Sequence, residues 1–210
     1  MHISIDAPDI PDYPAGFLNF WAKQLFVGTV SSDFQTNALA STYVRLVEAA
    51  LIEYQLGVST LREFWETHTS FKITAVNRSI SHFESCLSNM HRAINCYRRL
   101  RRRRDPLGVA LHREKADFAT DSVATAIGDM RNAIHHLEER VMDGRLKEGQ
   151  PIALKSDGPE KPHATEPNQT MKSIDRLVIG QHELLFSRLA ASLTEMGRVA
   201  AKIAEFNSPS

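Results

Sequence analysis

Cysteine is almost missing from this chain: Cys86 and Cys96 are the two among 210 residues. They stand ten residues apart inside one helical pattern, a separation of about 15 Å along an α-helix that forbids a bridge between them. The fold must therefore be held by its core, and free thiols fit a reducing compartment. Long apolar runs are missing as well, since no stretch approaches the roughly eighteen uninterrupted residues that a membrane-spanning helix needs. The first sixteen residues hold acids and three prolines where an export signal needs basic residues followed by an apolar run. The expectation is a cytoplasmic protein. A net charge is absent too, with 25 Lys plus Arg against 25 Asp plus Glu. No general pull toward nucleic acid or membrane results, so any polyanion site must be local.

Several chemistries are missing their motifs. There is no glycine-rich phosphate loop, no Gly-x-Ser-x-Gly elbow, no Cys-x-x-Cys pair and no histidine pair bracketing a glutamate. Neither His135-His136 nor His163 has a second His, Cys or acid at the spacing of a closed coordination site. The expectation is a chain without metal or cofactor.

What is present is helical periodicity in a chain that is 42% hydrophobic and 24% charged, the balance of a globular protein. Pro8, Pro11, Pro14 and Gly16 predict an extended N-terminal arm. It leads into Phe17, Leu18, Phe20, Trp21, Leu25 and Phe26, too apolar to stay in water and expected to pack as a short helix or an extended clasp. From Phe34, Tyr43, Val47, Ala50, Tyr54, Leu61 and Phe64 mark one face of a helix that either continues past Gly57 or restarts at Thr60. Val76, Ile80, Phe83, Leu87, Met90, Ile94 and Tyr97 keep a rhythm of three and four. This predicts a second long helix, ending near Arg104 because Asp105-Pro106-Leu107-Gly108 supplies a turn.

A third helix is predicted over residues 113–143, with Val123, Ile127, Met130, Ile134, Leu137 and Val141 toward the core and Gly144 as its cap. A loop follows, in which residues 152–154 and 177–179 have the composition of a small β-hairpin. Phe186, Leu189, Leu193, Met196, Val199 and Ile203 define the last helix. The expected fold class is all-α: an up-down bundle of four or five long helices with a small β-hairpin inserted before the last one. Residues 1–33 form the arm and clasp, and 34–206 form a single bundle domain with the loop and hairpin at about 145–182.

One cluster is chemically pointed: Arg131-Asn132-Ala133-Ile134-His135-His136 on the third helix. At about 100° per residue, Arg131 falls about 80° from the centre of the core stripe and His135 about 120°. Asn132 lies nearly opposite the core, His136 about 140° away on the other flank, and Gly128 and Glu139 share the outer sector. A merely solvated face more often carries Lys and Glu. The plain alternative pairs Arg131 with Asp129, Glu139 or a neighbouring helix, and gives Asp129 and Glu139 to Arg131 and Arg140 as ionic partners.

Arg131-Asn132, three residues, then His136 resembles the signature of HEPN domains (higher eukaryotes and prokaryotes nucleotide-binding). In that family an Arg, often followed by a polar residue, precedes a His by four to six residues on a late helix of a four- or five-helix bundle. The resemblance covers the six-residue motif and the bundle architecture. It implies a metal-independent ribonuclease acting as a homodimer in which both Arg131 and His136 pairs converge on one RNA phosphate, in the manner of a toxin or defence effector. The catalytic set it implies is Arg131 and His136, with Asn132 as a phosphate donor or orienting group and His135 as the second choice of base. Histidine titrates near neutrality and can move a proton at the attacking 2′-hydroxyl or the leaving oxygen, while an arginine fork offsets growing phosphate charge. Some HEPN domains are non-catalytic binding modules, and others are partnered with an antitoxin or a nucleotidyltransferase.

Arg98, Arg99, Arg101, Arg102, Arg103 and Arg104 form the second charged feature. Cations at a helix C-terminus complement its dipole, which accounts for them without a ligand. Six guanidinium groups in an otherwise neutral chain also make a local field suited to an RNA backbone. Tyr97 beside them fits the core stripe better than a base-stacking role.

Overall fold

Residues 1–26, 33–66, 73–144, 151 and 153–206 are described by the structure, a computed structural model. Strand β1 (His2–Ile5) leads through the proline-containing arm to helix α1 (Pro14–Phe26). Two long helices follow, α2 (Phe34–Glu66) and α3 (Ile73–Leu100), then the short α4 (Pro106–Arg113), a 3-10 turn at Asp117–Ala119, α5 (Asp121–His135) and α6 (Leu137–Met142). Strands β2 (Lys155–Asp157), β3 (Glu160–Pro162), β4 (Thr170–Ile174), β5 (Arg176–Ile179) and β6 (His182–Leu185) precede the last helix, α7 (Phe186–Glu205). The fold is mostly helical, but it is not the pure all-α bundle the periodicities predict. No helix among the described residues is long and apolar enough to cross a membrane.

The two long stripes meet as expected. Tyr43, Val47, Ala50, Tyr54 and Leu61 of α2 and Phe83, Leu87, Met90, Ile94 and Tyr97 of α3 are buried, and the helices run antiparallel. Gly57 does not break α2. It lets α3 approach: a Cβ there would lie 2.9 Å from the Phe83 ring, and Ser79 Oγ donates to the Gly57 carbonyl at 2.8 Å. All six predicted core residues of α7 are buried, and the apolar N-terminal patch resolves as helix α1, whose Phe17 and Phe20 are buried.

The expected turn at residues 105–108 is instead a helix start. The Asp105 side chain accepts from Gly108 N–H at 3.0 Å with Pro106 at the first helical position, the asymmetry that favours Pro at an N-terminus. A continuous helix over 113–143 is likewise corrected to α4, the 3-10 turn, α5 and α6. Its core stripe holds through Ile127 and Met130, which are buried, but fades toward Val141, which is 53% exposed. Gly144 does act as a terminal residue, with φ 63°.

The β region is larger than a hairpin. β2 and β3 pair antiparallel with β5 and β4, and the pairing steps from Asp157↔Arg176 to Glu160↔Lys172. Three steps along one arm face four along the other, which is a bulge. Gly158 is required there, since a Cβ would sit 1.6 Å from the Ser173 carbonyl oxygen. Asp157 anchors the bulge through Lys155, Lys172 (2.6 Å) and Gly158 N–H (2.9 Å). Partial burial works to raise its carboxyl pKa, but these donors hold it well below the ordinary range. On the far edges β1 pairs parallel with β4 and β6 antiparallel with β5, giving two small three-stranded sheets. Residues 177–179 are thus strand, as expected, but belong to β5, which pairs with β2 and β6; Ile152 of the expected partner segment lies outside the described residues.

Candidate functional site

α5 starts at Thr120-Asp121, where an acid suits the helix dipole, and lies antiparallel to α3. Arg98, late in α3, donates to the Ala119 carbonyl (2.9 Å) and to Asp121 (2.7 Å). Gly128 faces His91, and His135 meets Ser88 Oγ at 3.3 Å. Packing on α3 therefore covers one flank of α5. Gly128, projected onto the outer sector, is buried because His91 lies over it: a Cβ would stand 3.7 Å from the imidazole.

The motif occupies the C-terminal end of α5. His136 leaves the helix at φ −106°, ψ 21° while its N–H still bonds to the Asn132 carbonyl at 3.0 Å. Asn132, His135 and His136 are exposed and Arg131 is half-buried. Arg131 Nη1 donates to Asn132 Oδ1 at 3.2 Å, and no described carboxylate forms an ion pair with Arg131. His136 Nδ1 meets Glu139 at 3.0 Å across the break between α5 and α6. Glu139 is thus a partner of His136 rather than of Arg131, and the side chain of Arg140 lies outside the described residues.

Sequence reasoning missed the contribution of α3. Glu84, Ser88, His91 and Asn95 follow steps of four, three and four, a polar stripe on the flank that receives α5. Asn95 Nδ2 contacts His91 Nε2 at 3.3 Å. Burial lowers the His91 pKa, and the nearby Arg131 charge lowers it further, which favours a neutral imidazole. Burial alone raises the Glu84 carboxyl. The spacing of these four residues was the available signal. It could not be tied to Arg131 until α5 was placed on α3.

The arginine run divides in two. Arg98 holds the entry to α5, Arg101 bonds to the His112 carbonyl at 3.1 Å with its guanidinium 6.0 Å from the Tyr97 ring centroid, and Arg103 bonds to Asp33 (2.7 Å) and Gln35 (3.0 Å). These three link the end of α3 to its neighbours. Arg99, Arg102 and Arg104 are exposed, and Tyr97 is buried with its hydroxyl on the Leu111 carbonyl at 3.4 Å.

A cleft of about 560 Å³ lies between α5, β6 and α7, lined in part by Val123, Ile127, Leu184, Arg188 and Leu189. It opens beside the first half of α5 and does not include the motif. No protein-family model, curated protein or solved structure matches the chain.

Proposed function

We propose that this chain is a HEPN-type endoribonuclease, cleaving an RNA phosphodiester without metal by using the adjacent 2′-hydroxyl as nucleophile. The observation that carries this reading is the C-terminal end of α5, where Arg131 contacts Asn132, where Asn132, His135 and His136 are exposed, and where the Arg131 charge reaches His91. Arg131 supplies the phosphate contact and His136 the proton transfer. Asn132 offers a further polar contact and His135 a second imidazole. Exposure of three of the four side chains fits half of a site completed by the same face of a second copy. The exposed Arg99, Arg102 and Arg104 supply backbone contacts for the RNA.

The test is cleavage of labelled structured RNA by the purified chain in EDTA. Arg131→Ala and His136→Ala are each expected to lower the rate by about 10²–10⁴-fold, with a smaller loss for His135→Ala. Equal cleavage by all forms, or none by any, overturns the proposal. Mixing the Arg131→Ala and His136→Ala chains tests the shared site, since a heterodimer is expected to regain part of the activity.

A second reading, a non-catalytic interaction module, is favoured by the Glu139 contact that already occupies His136. Under it the double variant would lose binding to a protein partner, such as an antitoxin or a nucleotidyltransferase, while the wild type cleaves no RNA.

A further inference from the structure

His163 has one carboxylate three residues on, Glu166, and the fold brings a second imidazole, His2, from the other end of the chain. β1 lies parallel to β4 with His2 in register with Met171, and the loop between β3 and β4 curls back over that edge. The loop is closed by His163 N–H on the Gln169 carbonyl (2.8 Å) and Gln169 N–H on the Glu166 carbonyl (3.2 Å), with Asn168 in the left-handed region at φ 67°. The result is that the His2 and His163 rings stand 4.5 Å apart, centroid to centroid, and His2 Nε2 lies 3.1 Å from Glu166 Oε2. One ligand atom from each of the three residues lies within 4.8 Å of the other two.

We propose that His2, His163 and Glu166 form a divalent-metal site, with zinc as the cation that this ligand set suits best. Two imidazoles and one carboxylate, with a fourth position left to water, make a recurrent zinc donor set. Zinc bonds of about 2.0–2.2 Å place tetrahedral ligand atoms about 3.4 Å apart. The His2 to Glu166 distance of 3.1 Å is a few tenths of an ångström shorter, and the adjustment falls on side chains that solvent can reach. Half of the His2 and Glu166 side-chain surface is exposed, at 50% and 52%, so entry is open and ionised Glu166 carries little desolvation cost.

His163 now uses Nδ1 to accept from Glu166 N–H at 3.2 Å and Thr165 N–H at 3.5 Å. Both bonds are long, and both donors are on exposed residues that water can satisfy, so that lone pair can be exchanged for a metal bond. The Met1 ammonium, held by Gln169 Oε1 at 2.7 Å, and Lys161, in register with His2 across β4, are positive groups in this sheet that oppose a cation. A bound ion would fasten β1 to the β3–β4 loop across 161 residues of chain. None of its ligands belongs to α5, so the site does not rest on the ribonuclease reading, and cleavage in EDTA tests that reading separately.

The experiment is titration of the EDTA-stripped full chain with cobalt(II), followed by the visible bands of low-symmetry cobalt and by zinc competition and calorimetry. One equivalent is expected to bind saturably, with zinc displacing cobalt. His163→Asn retains an oxygen acceptor for the turn while removing the imidazole, and Glu166→Gln keeps the side-chain size; each is expected to weaken binding about tenfold or more. Circular dichroism identifies variants that keep the fold, and His82→Ala, which removes a different His–Glu contact, that with Glu53, is expected to bind as the wild type does. Absence of saturable one-to-one binding overturns the proposal. So does binding that survives His163→Asn and Glu166→Gln combined in a folded chain, or that is lost in His82→Ala.

Discussion

His91 shows how a single side chain acquires a role from packing. Gly128 packs under its ring, Asn95 contacts its Nε2 at 3.3 Å, and burial with the Arg131 charge lowers its pKa. Its proton affinity is therefore lower in the folded chain than in the unfolded one. As pH falls through the ordinary histidine range near about 6.5, the unfolded chain takes up the proton first, so this group costs stability on the acid side. Arg131→Ala is expected to raise the His91 pKa, read from its imidazole resonances in an NMR titration, and to reduce that acid-side loss. An unchanged titration would mean that the arginine charge does not reach the ring. At this scale the sequence displays Arg131, Asn132 and the two histidines because their identities and spacing are local. It does not display His91, which belongs to the site only because α3 and α5 lie side by side.

At the scale of elements, the six arginines separate by what they hold. Arg98, Arg101 and Arg103 fasten the end of α3 to the α5 entry, to α4 and to the start of α2, whereas Arg99, Arg102 and Arg104 extend into solvent. Replacing the exposed three by alanine is expected to leave the melting temperature nearly unchanged. In filter-binding assays across a salt series the same variant should lose affinity for single-stranded RNA, and its log–log salt slope should shrink by about 2, at about 0.7 per charge. Replacing the other three is expected to lower the melting temperature. The opposite division would assign the solvated arginines a structural role and the anchored ones the RNA.

The long helices were legible because their apolar residues recur over many turns. The boundaries were less so. Asp105-Pro106 reads equally as a turn or a helix start, and only the Asp105 bond to Gly108 N–H decides between them. The break at His136 leaves no proline or glycine as a marker. The sheets were nearly hidden because β2 and β3 are three residues each and largely polar, so their pairing follows from the bulge and from β1, which arrives from the other end of the chain.

Across the whole molecule, the N-terminal arm is a working part of the fold. Ala7 and Ile10 are buried, Tyr54 donates to the Pro8 carbonyl at 2.7 Å, and Arg62 bonds to Asp9 and the Ala7 carbonyl. Deleting residues 1–12 removes these contacts and uncovers the edge of β4. The expected loss is about 2–3 kcal/mol, or about 5–10 °C in melting temperature for a chain of this size. Light scattering should also show self-association through the freed edge. A truncated chain that melts with the wild type and stays monodisperse would show that the arm contributes little.

The parallel pairing of β1 with β4 also sets an order of events at the ribosome. His2 waits for Met171, and Tyr13 of the arm waits for Gly197, whose missing Cβ leaves room for the tyrosine ring. At about 5–20 residues per second, synthesis of the intervening chain takes roughly 10–35 s. During that interval α2 and α3 can close on each other while Phe17 and Phe20 still lack the C-terminal helix that shelters them. The arm is therefore among the last parts to settle, and the nascent chain carries an exposed aromatic segment, an opening for a chaperone, until α7 has been made.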